Sequence, residues 1–437
     1  MQEANATRQR PAAGFLLGLV FAVAPGPAPA QPAGANYDET KVPAYALPDP
    51  LRFADGGAVQ DAGDWTGRRR AEVLRLFEAH VYGRSPGPPP VMRFVVVETD
   101  PRALGGLATR RQVQVRLDGT EGGPAFTIVL YVPNAALRPV TAFLGLNFHG
   151  NHAVHSDPGI RLSTAWVGEG PGVVAHHATD AARGQDAASW PVERILDRGY
   201  ALATVYYGDL EPDHPEGWKD GVRARLGPGE TGRFASDDWG AIGAWAWGLR
   251  RALDYLVTDP DVDGSRVAVI GHSRLGKTAL WAGASDERFA MVVSNDSGEG
   301  GAALARRRFG ETTESITRAF PHWFCTRFRE YAAREDALPV DQHMLLALVA
   351  PRPLYVASAS EDLWADPRGE FLAARAADPV YSLLGRDGLG VEELPVADRP
   401  VGKTIGYHLR RGAHALTAYD WEQYLDFADQ KLRSPRR

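Results

Sequence analysis

A serine stands at the junction between a predicted buried strand and a predicted helix. The segment reads Val267-Ala-Val-Ile-Gly-His-Ser273-Arg-Leu-Gly-Lys-Thr-Ala-Leu280. A sharp turn of this kind lifts a serine Oγ out of the sheet and aims the next backbone N–H at a developing oxyanion. The usual hydrolase turn is G-x-S-x-G, whereas here the second glycine comes one residue late, at Gly276. For this segment alone, a plain strand-to-helix turn of a doubly wound protein is the alternative.

Serine needs a base to take its proton and an acid to orient that base. His414 lies between glycine and small residues after a late predicted strand, and it is the candidate base. Two carboxylates compete for the role of acid, because Asp296 and Asp362 each follow a predicted strand. Either choice gives the chain order serine, acid, histidine that is typical of α/β-hydrolases. For each aspartate the alternative is a loop cap or a surface ion pair.

Buried strands must bring these side chains together, and the apolar runs of the chain predict them. Strands are predicted at residues 141–148, 201–207, 267–272, 289–294, 352–360 and 406–410, with helices at residues 68–82, 190–198 and 240–257. This alternation predicts an α/β fold with a mainly parallel central sheet sandwiched by helices, whose reactive residues gather beyond the carboxyl ends of the strands. Antiparallel edge strands are predicted at residues 93–98, 111–117 and 126–132.

The composition limits the classes of function. A chain of 437 residues with 44% hydrophobic content can build a large core, and without repeat or linker we expect one catalytic domain over residues 31–437. A net charge of −6 with scattered basic residues predicts no nucleic-acid partner. The single cysteine, Cys325, excludes an internal disulfide.

Residues 1–30 have the pattern of a secretory signal peptide. Arg8 and Arg10 precede an apolar run from Ala12 to Ala24, and small residues follow up to Ala30. The run is too short to span a bilayer, and no later segment reaches about 18 uncharged apolar residues, so no membrane partner is expected. We therefore predict an exported protein, periplasmic or secreted. The alternative is a retained membrane anchor or a disordered tail.

Together the motifs resemble the glucuronoyl esterases, carbohydrate esterase family fifteen, in their bacterial form. The nucleophile motif of that family is G-x-S-R-x-G-K, which the chain matches from Gly271 to Lys277, including the late glycine. Residues 296–301, Asp-Ser-Gly-Glu-Gly-Gly, match an acid-Ser-Gly-x-Gly-Gly loop, with aspartate where glutamate is expected. The shorter side chain leaves both Asp296 and Asp362 open as the acid. The lone cysteine separates the chain from the disulfide-bearing fungal branch.

The resemblance, over about residues 140–425, implies a monomeric α/β-hydrolase that acts as a serine esterase without metal or other cofactor. The implied substrate is the ester between (4-O-methyl-)glucuronic acid of xylan and an alcohol of lignin. Arg274 would stabilise the oxyanion. Lys277, Glu311 and Trp364 would hold the sugar.

Two other functions stay open. An acetyl-xylan or other small-acyl carbohydrate esterase would use the same catalytic groups and prefer acetate esters. A hydrolase-fold protein without activity would only bind polysaccharide, and the complete serine, acid and histidine set argues against it. The sugar-binding residues argue against the small-acyl esterase, unless Lys277 is an exposed helix lysine, Trp364 a core aromatic and Glu311 a solvated loop charge.

Overall fold

The computed structural model describes residues 32, 34–226 and 232–433. The predicted signal peptide, residues 1–30, lies outside the described residues. Among those described, the strands are β1 Arg93–Ala103, β2 Ala108–Arg116, β3 Ala125–Pro133, β4 Val140–Asn147, β5 Val173–Val174, β6 His177–Ala178, β7 Ala201–Tyr206, β8 Val262–His272, β9 Met291–Asn295, β10 Leu354–Ala359, β11 Val401–Gly402 and β12 Ile405–Arg410. Strands β5 and β6 form a small hairpin of their own.

The other ten strands form one sheet in the order β1-β2-β3-β7-β4-β8-β9-β10-β12-β11. All neighbours from β7 to β12 are parallel. Strands β1, β2 and β3 are antiparallel at one edge, and β11 is antiparallel at the other. Because the parallel strands all end at the same side of the sheet, the loops after β4, β7, β8, β9, β10 and β12 share one edge. The predicted α/β-hydrolase sheet is confirmed.

Helices cover the sheet as predicted. The α-helices are α1 Ala62–Asp64, α2 Arg70–Phe77, α3 Asn151–Val154, α4 Val192–Asp197, α5 Tyr207–Leu210, α6 Val222–Leu226, α7 Ala241–Leu256, α8 Arg274–Ser285, α9 Thr313–Ala319, α10 Gln342–Ala347, α11 Pro367–Ala376, α12 Asp378–Leu383 and α13 Ala418–Lys431. Short 3-10 helices lie at Glu39–Lys41, Leu104–Gly106, Asp180–Ala182, Gly217–Lys219, Ala305–Arg307, Thr326–Tyr331, Glu335–Ala337 and Leu363–Ala365. In the described part of the chain, no helix has the length and apolar character needed to cross a membrane.

The helix predicted at residues 68–82 is longer and less regular than its pattern indicates. Two π-helical segments, Trp65–Arg69 and Glu78–Tyr82, flank α2. The helical run stops at Gly83, as predicted. Its φ is +81°, and a Cβ there would lie 2.3 Å from the Asp238 carbonyl oxygen, so no other residue type fits without a shift of the backbone.

The core has one apolar layer on each face of the sheet. Along β4, Leu144 and Leu146 belong to one layer and Phe143 to the other, as the two-residue period of a strand requires. The first layer contains the buried tryptophans of α7 and α8, and the second packs around Trp421 of α13. Burial on both faces explains why the parallel strands appear in the sequence as continuous apolar runs.

Cys325 is buried where two irregular segments meet. Its backbone N–H donates to the Val81 carbonyl at 3.0 Å, and its Sγ lies 4.0 Å from the Ala79 carbonyl oxygen. Burial raises the pKa of the thiol to about 11. The side chain therefore acts as a small apolar group of the core.

Candidate active site

Ser273 occupies the turn between β8 and α8 in a strained conformation. Its φ and ψ are 58° and −129°, a region that residues other than glycine rarely adopt. Its N–H donates to the Asn295 carbonyl at 2.9 Å, and its own carbonyl accepts from Gly276 at 2.8 Å and from Lys277 at 3.1 Å. These backbone bonds tie the serine to β9 on one side and to its helix on the other.

The shifted glycine of the motif has a packing reason. A Cβ at Gly276 would lie 3.0 Å from the Ser297 Cβ and 3.1 Å from the Asn295 carbonyl oxygen. The residue before it, Leu275, points into the core and is almost fully buried. The helix therefore approaches the loop after β9 at position 276, one residue later than in the usual turn. At Gly271, a Cβ would meet the Leu275 carbonyl oxygen at 1.9 Å, which excludes any side chain.

The start of α8 can stabilise an oxyanion beside Ser273. The first amides of a helix have no carbonyl partner within the helix, and the helix dipole adds partial positive charge there. The Arg274 guanidinium lies at the same end, 5.1 Å from the ring centre of Trp323 and 5.4 Å from that of Phe148. Its Nη1 donates to Asp213 Oδ2 at 2.5 Å. Arg274 is thus paired with an acid, and it also lines the cavity beside Ser273.

Asp213, which sequence reasoning missed, holds Arg274 in place. Besides Arg274, it accepts from His322 Nε2 and from Trp323 Nε1, each at 2.7 Å. Burial alone would raise the pKa of Asp213, but the bond from His322 and the charge of Arg274 lower it. The carboxylate is therefore ionised at neutral pH. The feature of the sequence that could have indicated Asp213 was its position shortly after β7.

His414 is paired with Asp362. The His414 Nδ1 lies 2.6 Å from Asp362 Oδ2, and the carboxylate side chain is 6% exposed against 37% for the imidazole. Both residues follow strands, β12 and β10, that are parallel neighbours, so their carboxyl ends meet. With Nδ1 bonded to the carboxylate, Nε2 is the nitrogen left to face Ser273. Ser273 and His414 line the same cavity.

Asp296 lies beside this pair without a hydrogen bond from any described residue to either carboxylate oxygen. One of its oxygens, one of Asp362 and a nitrogen of His414 all lie within 4.8 Å of one another. The nearest cation is Arg410, whose Nη2 lies 3.6 Å away. Burial first, and then the charges of Asp362 and Glu370, raise the pKa of Asp296 well above its ordinary value of 3.8.

Two further charged residues, both missed from the sequence, fix the loops of the site. Arg410 Nη2 donates to the Ala413 and Ala415 carbonyls at 2.8 and 2.9 Å, and so clamps the residues on either side of His414. Glu370 of α11 accepts from the backbone N–H groups of Ser297 and Gly298 at 2.8 and 2.9 Å. Burial raises the pKa of Glu370 to about 7.

His272 packs directly against the base. Its ring centre lies 4.5 Å from that of His414, and its Nδ1 lies 2.6 Å from Asn295 Oδ1. Burial, followed by the charge of His414, lowers the pKa of His272 to about 3. A neutral ring of fixed orientation therefore supports the base, in a place that no sequence pattern indicated.

The three predicted sugar ligands form one cluster. Lys277 is only 4% exposed, so the alternative of an exposed helix lysine is wrong. Its Nζ donates to the Ser297 carbonyl at 2.5 Å and lies 3.7 Å from Glu311 Oε2. Burial lowers the pKa of Lys277, opposed by the charges of Glu311 and Glu299. The Glu311 N–H donates to the carbonyl of the half-buried Trp364 at 2.9 Å.

A cavity of about 490 Å³ opens at Ser273. It is lined by Leu146, Phe148, His149, Gly168, Glu169, Asp186, Ser189, Trp190, Tyr207, Ile270, Gly271, His272, Ser273, Arg274, His414, Ala415 and Leu416. None of the three predicted sugar ligands contributes to this lining. The cavity and the sugar-ligand cluster are thus separate parts of the site.

The His149-Gly150 pair follows β4 at the edge of the cavity. The Gly150 N–H donates to Asn147 Oδ1 at 2.9 Å, so this amide is engaged and cannot serve an oxyanion. The His149 Nδ1 lies 2.9 and 2.8 Å from the two carboxylate oxygens of Asp186.

Comparisons with known proteins agree on one family. A family model described as "Glucuronyl esterase, fungi" matches residues 234–385. Carbohydrate esterase MZ0003, from an unknown prokaryotic organism, is 49% identical over 92% of this chain and 93% of its own. The 4-O-methyl-glucuronoyl methylesterase 1 of Wolfiporia cocos is 29% identical over 85% of this chain and 81% of its own. The solved structure of a promiscuous CE15 esterase from a marine bacterial metagenome is 49% identical, with a TM-score of 0.85, over 91% of this chain and all of that one.

Proposed function

Because the chain belongs to carbohydrate esterase family fifteen, the glucuronoyl esterases, we propose that it cleaves the ester between (4-O-methyl-)glucuronic acid of xylan and an alcohol of lignin. One observation carries the proposal for this site. Ser273 stands in a strained turn at the same cavity as His414, whose other nitrogen is bonded to the buried Asp362. The 4-O-methyl-glucuronoyl methylesterase of Wolfiporia cocos supports the choice of acyl group.

The reaction proceeds in two steps of acyl transfer. His414 takes the Ser273 proton as Oγ bonds to the ester carbonyl carbon, and it returns that proton to the alcohol oxygen as the C–O bond breaks. Water then attacks the acyl-enzyme by the same path and releases the uronic acid. Asp362 keeps the imidazole in the tautomer that presents Nε2 and stabilises its charged form.

Arg274 and the first amides of α8 stabilise the oxyanion of both steps. The charge develops only in the transition state, so donors that are already fixed lower the barrier without tightening ground-state binding. Asp213 and the aromatic rings around the guanidinium supply that fixation.

The cluster of Lys277, Glu311 and Trp364 holds the sugar. A buried ammonium and carboxylate offer charge-assisted hydrogen bonds to hydroxyl groups, and the partly exposed indole offers an apolar surface to the ring. The proposal also includes export of a monomer, directed by residues 1–30, to the periplasm or the medium.

A second candidate is an esterase that prefers small acyl groups such as acetate. The relative from the marine metagenome is called promiscuous, and the cavity beside Ser273 is large enough for varied esters. Both candidates use the same serine, histidine and aspartate. Only the acyl preference separates them.

The test compares benzyl glucuronate with para-nitrophenyl acetate for the wild type and Ser273→Ala. We expect the uronate ester to be cleaved far better, and the alanine variant to lose about 10⁶-fold in kcat. Ser265→Ala, on the same strand but bonded to Asp263, is the matched control and should keep full activity. Preference for acetate would favour the second candidate. If neither ester is cleaved, the remaining candidate is a protein that binds polysaccharide without catalysis.

A further inference from the structure

The two parts of the site lie on opposite sides of the nucleophile strand. In the sheet, β4 and β7 stand on one side of β8, and β9 and β10 on the other. The sugar-ligand cluster is built around the loops after β9 and β10, whereas Phe148, His149 and Tyr207 of the cavity follow β4 and β7. An ester also has two sides, the acid and the alcohol. If the acid occupies the cluster, as the proposed function requires, the alcohol faces the cavity.

The cavity combines apolar walls with a few polar groups, the chemistry of an aromatic-alcohol site. Its walls include the rings of Phe148, Trp190 and Tyr207 and the side chain of Leu416. Apolar walls with a few placed polar groups are the usual build of a small-molecule site. Beyond the catalytic groups, the polar residues of the lining are His149, Glu169, Asp186 and Ser189. The side chain of His149 is 41% exposed.

Asp186 fixes which nitrogen of His149 meets the cavity. Both carboxylate oxygens lie within 2.9 Å of Nδ1, and a carboxylate only accepts, so Nδ1 carries the proton. In a neutral imidazole whose Nδ1 carries the proton, Nε2 is a hydrogen-bond acceptor. An acceptor of this kind selects a ligand that brings a hydroxyl proton.

The geometry assigns this cavity to the alcohol part of the ester, with His149 as a specificity-determining residue that accepts a hydrogen bond from a hydroxyl group on an arylalkyl alcohol. The assignment rests on the proposed function. Asp186 acts through His149 as a positioning residue. The pair has the same residue types as His414 and Asp362, but it recognises the leaving group and leaves proton transfer to the other pair.

The experiment uses two esters of one uronate, the phenylpropyl ester and the para-hydroxyphenylpropyl ester. The wild type is expected to prefer the hydroxyl-bearing ester by about fivefold or more in kcat/KM, the effect of one hydrogen bond. His149→Phe removes the acceptor, and Asp186→Asn no longer fixes the tautomer. Both variants should bring the ratio of the two kcat/KM values close to one.

A matched histidine–carboxylate pair outside the cavity provides the control. His155 Nε2 lies 2.9 Å from Glu193 Oε1, and His155→Gln should keep the preference. If the preference falls equally in all three variants, the cause is general damage and the assignment is overturned. An unchanged preference in both His149→Phe and Asp186→Asn would also overturn it. If no uronate ester is cleaved by the wild type, the proposed function fails and this inference with it. If both are cleaved without preference, only this inference fails.

Discussion

Asp362 and Asp296 follow neighbouring strands of the sheet, β10 and β9, yet their surroundings are opposite. Asp362 is bonded to His414 at 2.6 Å. Asp296 is equally buried, but among the described residues it receives no hydrogen bond, and its pKa is raised. A place after a strand end brings an acid near the site. The donors around it then decide whether it is ionised and which role it can take.

The different surroundings of Asp296 and Asp362 also explain how both acids can lie within 4.8 Å of His414. Ionising two carboxylates at this distance in a buried site costs much free energy, because their charges repel. The raised pKa of Asp296 favours its protonated form, which lowers this repulsion, while Asp362 accepts the hydrogen bond from His414.

Among the three carboxylates, the largest expected effect on activity is that of Asp362→Asn. The amide has nearly the same shape but no charge, so the imidazole loses its tautomer and the support of its charged form. We expect kcat to fall by about 10⁴-fold, as in other serine triads. Steady-state rates on benzyl glucuronate measure it. If Asp362→Asn stays active and only the double variant with Asp296→Asn is inactive, Asp296 can serve as the acid. The two aspartates would then not differ in role.

Asp213 is a third carboxylate with a buried side chain, and unlike Asp296 it has four donors. Asp213→Asn should loosen Arg274 and lower kcat by about 10- to 100-fold with little change in KM, since the oxyanion forms only during reaction. Asp209→Asn, whose wild-type carboxylate is bonded to Ser163 away from the guanidinium, is the control. A rise in KM at constant kcat would contradict a role of Asp213 in positioning Arg274.

The smallest effect on activity is expected from Asp296→Asn, within about threefold of the wild type, or less than ~0.7 kcal/mol in barrier. Stability is where the variant should differ. The pKa of Asp296 in the folded protein lies above 3.8. This group therefore stabilises the folded protein at low pH, and the stabilisation is lost as pH rises through that pKa. The neutral amide has no such loss.

Urea unfolding at pH 4 and pH 8 measures this difference. Relative to the wild type, Asp296→Asn should be more stable at the higher pH and about equal at the lower one. An equal difference at both pH values would show that Asp296 has the same pKa in the folded and unfolded states, and it would contradict the raised pKa.

The sequence predicted the interior of the fold better than its edges. Strands β4, β7 and β9 lie within about two residues of their predicted bounds, because burial on both faces leaves uninterrupted apolar runs. At the edge, β1 continues to Ala103, although the alternation ends at Glu98. Register shifts opposite β2 between Val96 and Glu98 and again before Ala103 break the two-residue period on which the prediction depends.

The candidate site was predictable only where chemistry and motif coincide. Ser273, His414 and both aspartates stand after strands in a fixed order, and the fold brings them together. Asp213 and Glu370 position these groups through hydrogen bonds to partners far away in the chain, and Arg410 does so through carbonyls of the loop that follows it. Such contacts leave no period or spacing in a single sequence, and only the folded chain shows them.

The lone buried cysteine makes this enzyme its own reporter of unfolding. Cys325 lies where the segment Glu78–Tyr82 meets the loop before Thr326–Tyr331, and its thiol is both covered and held protonated. A thiol-reactive dye can label the chain only after that junction opens, because the thiolate is the reactive species. With no other sulfhydryl in the sequence, each labelled molecule counts one opening event, and variants can be ranked by labelling rate without a substrate.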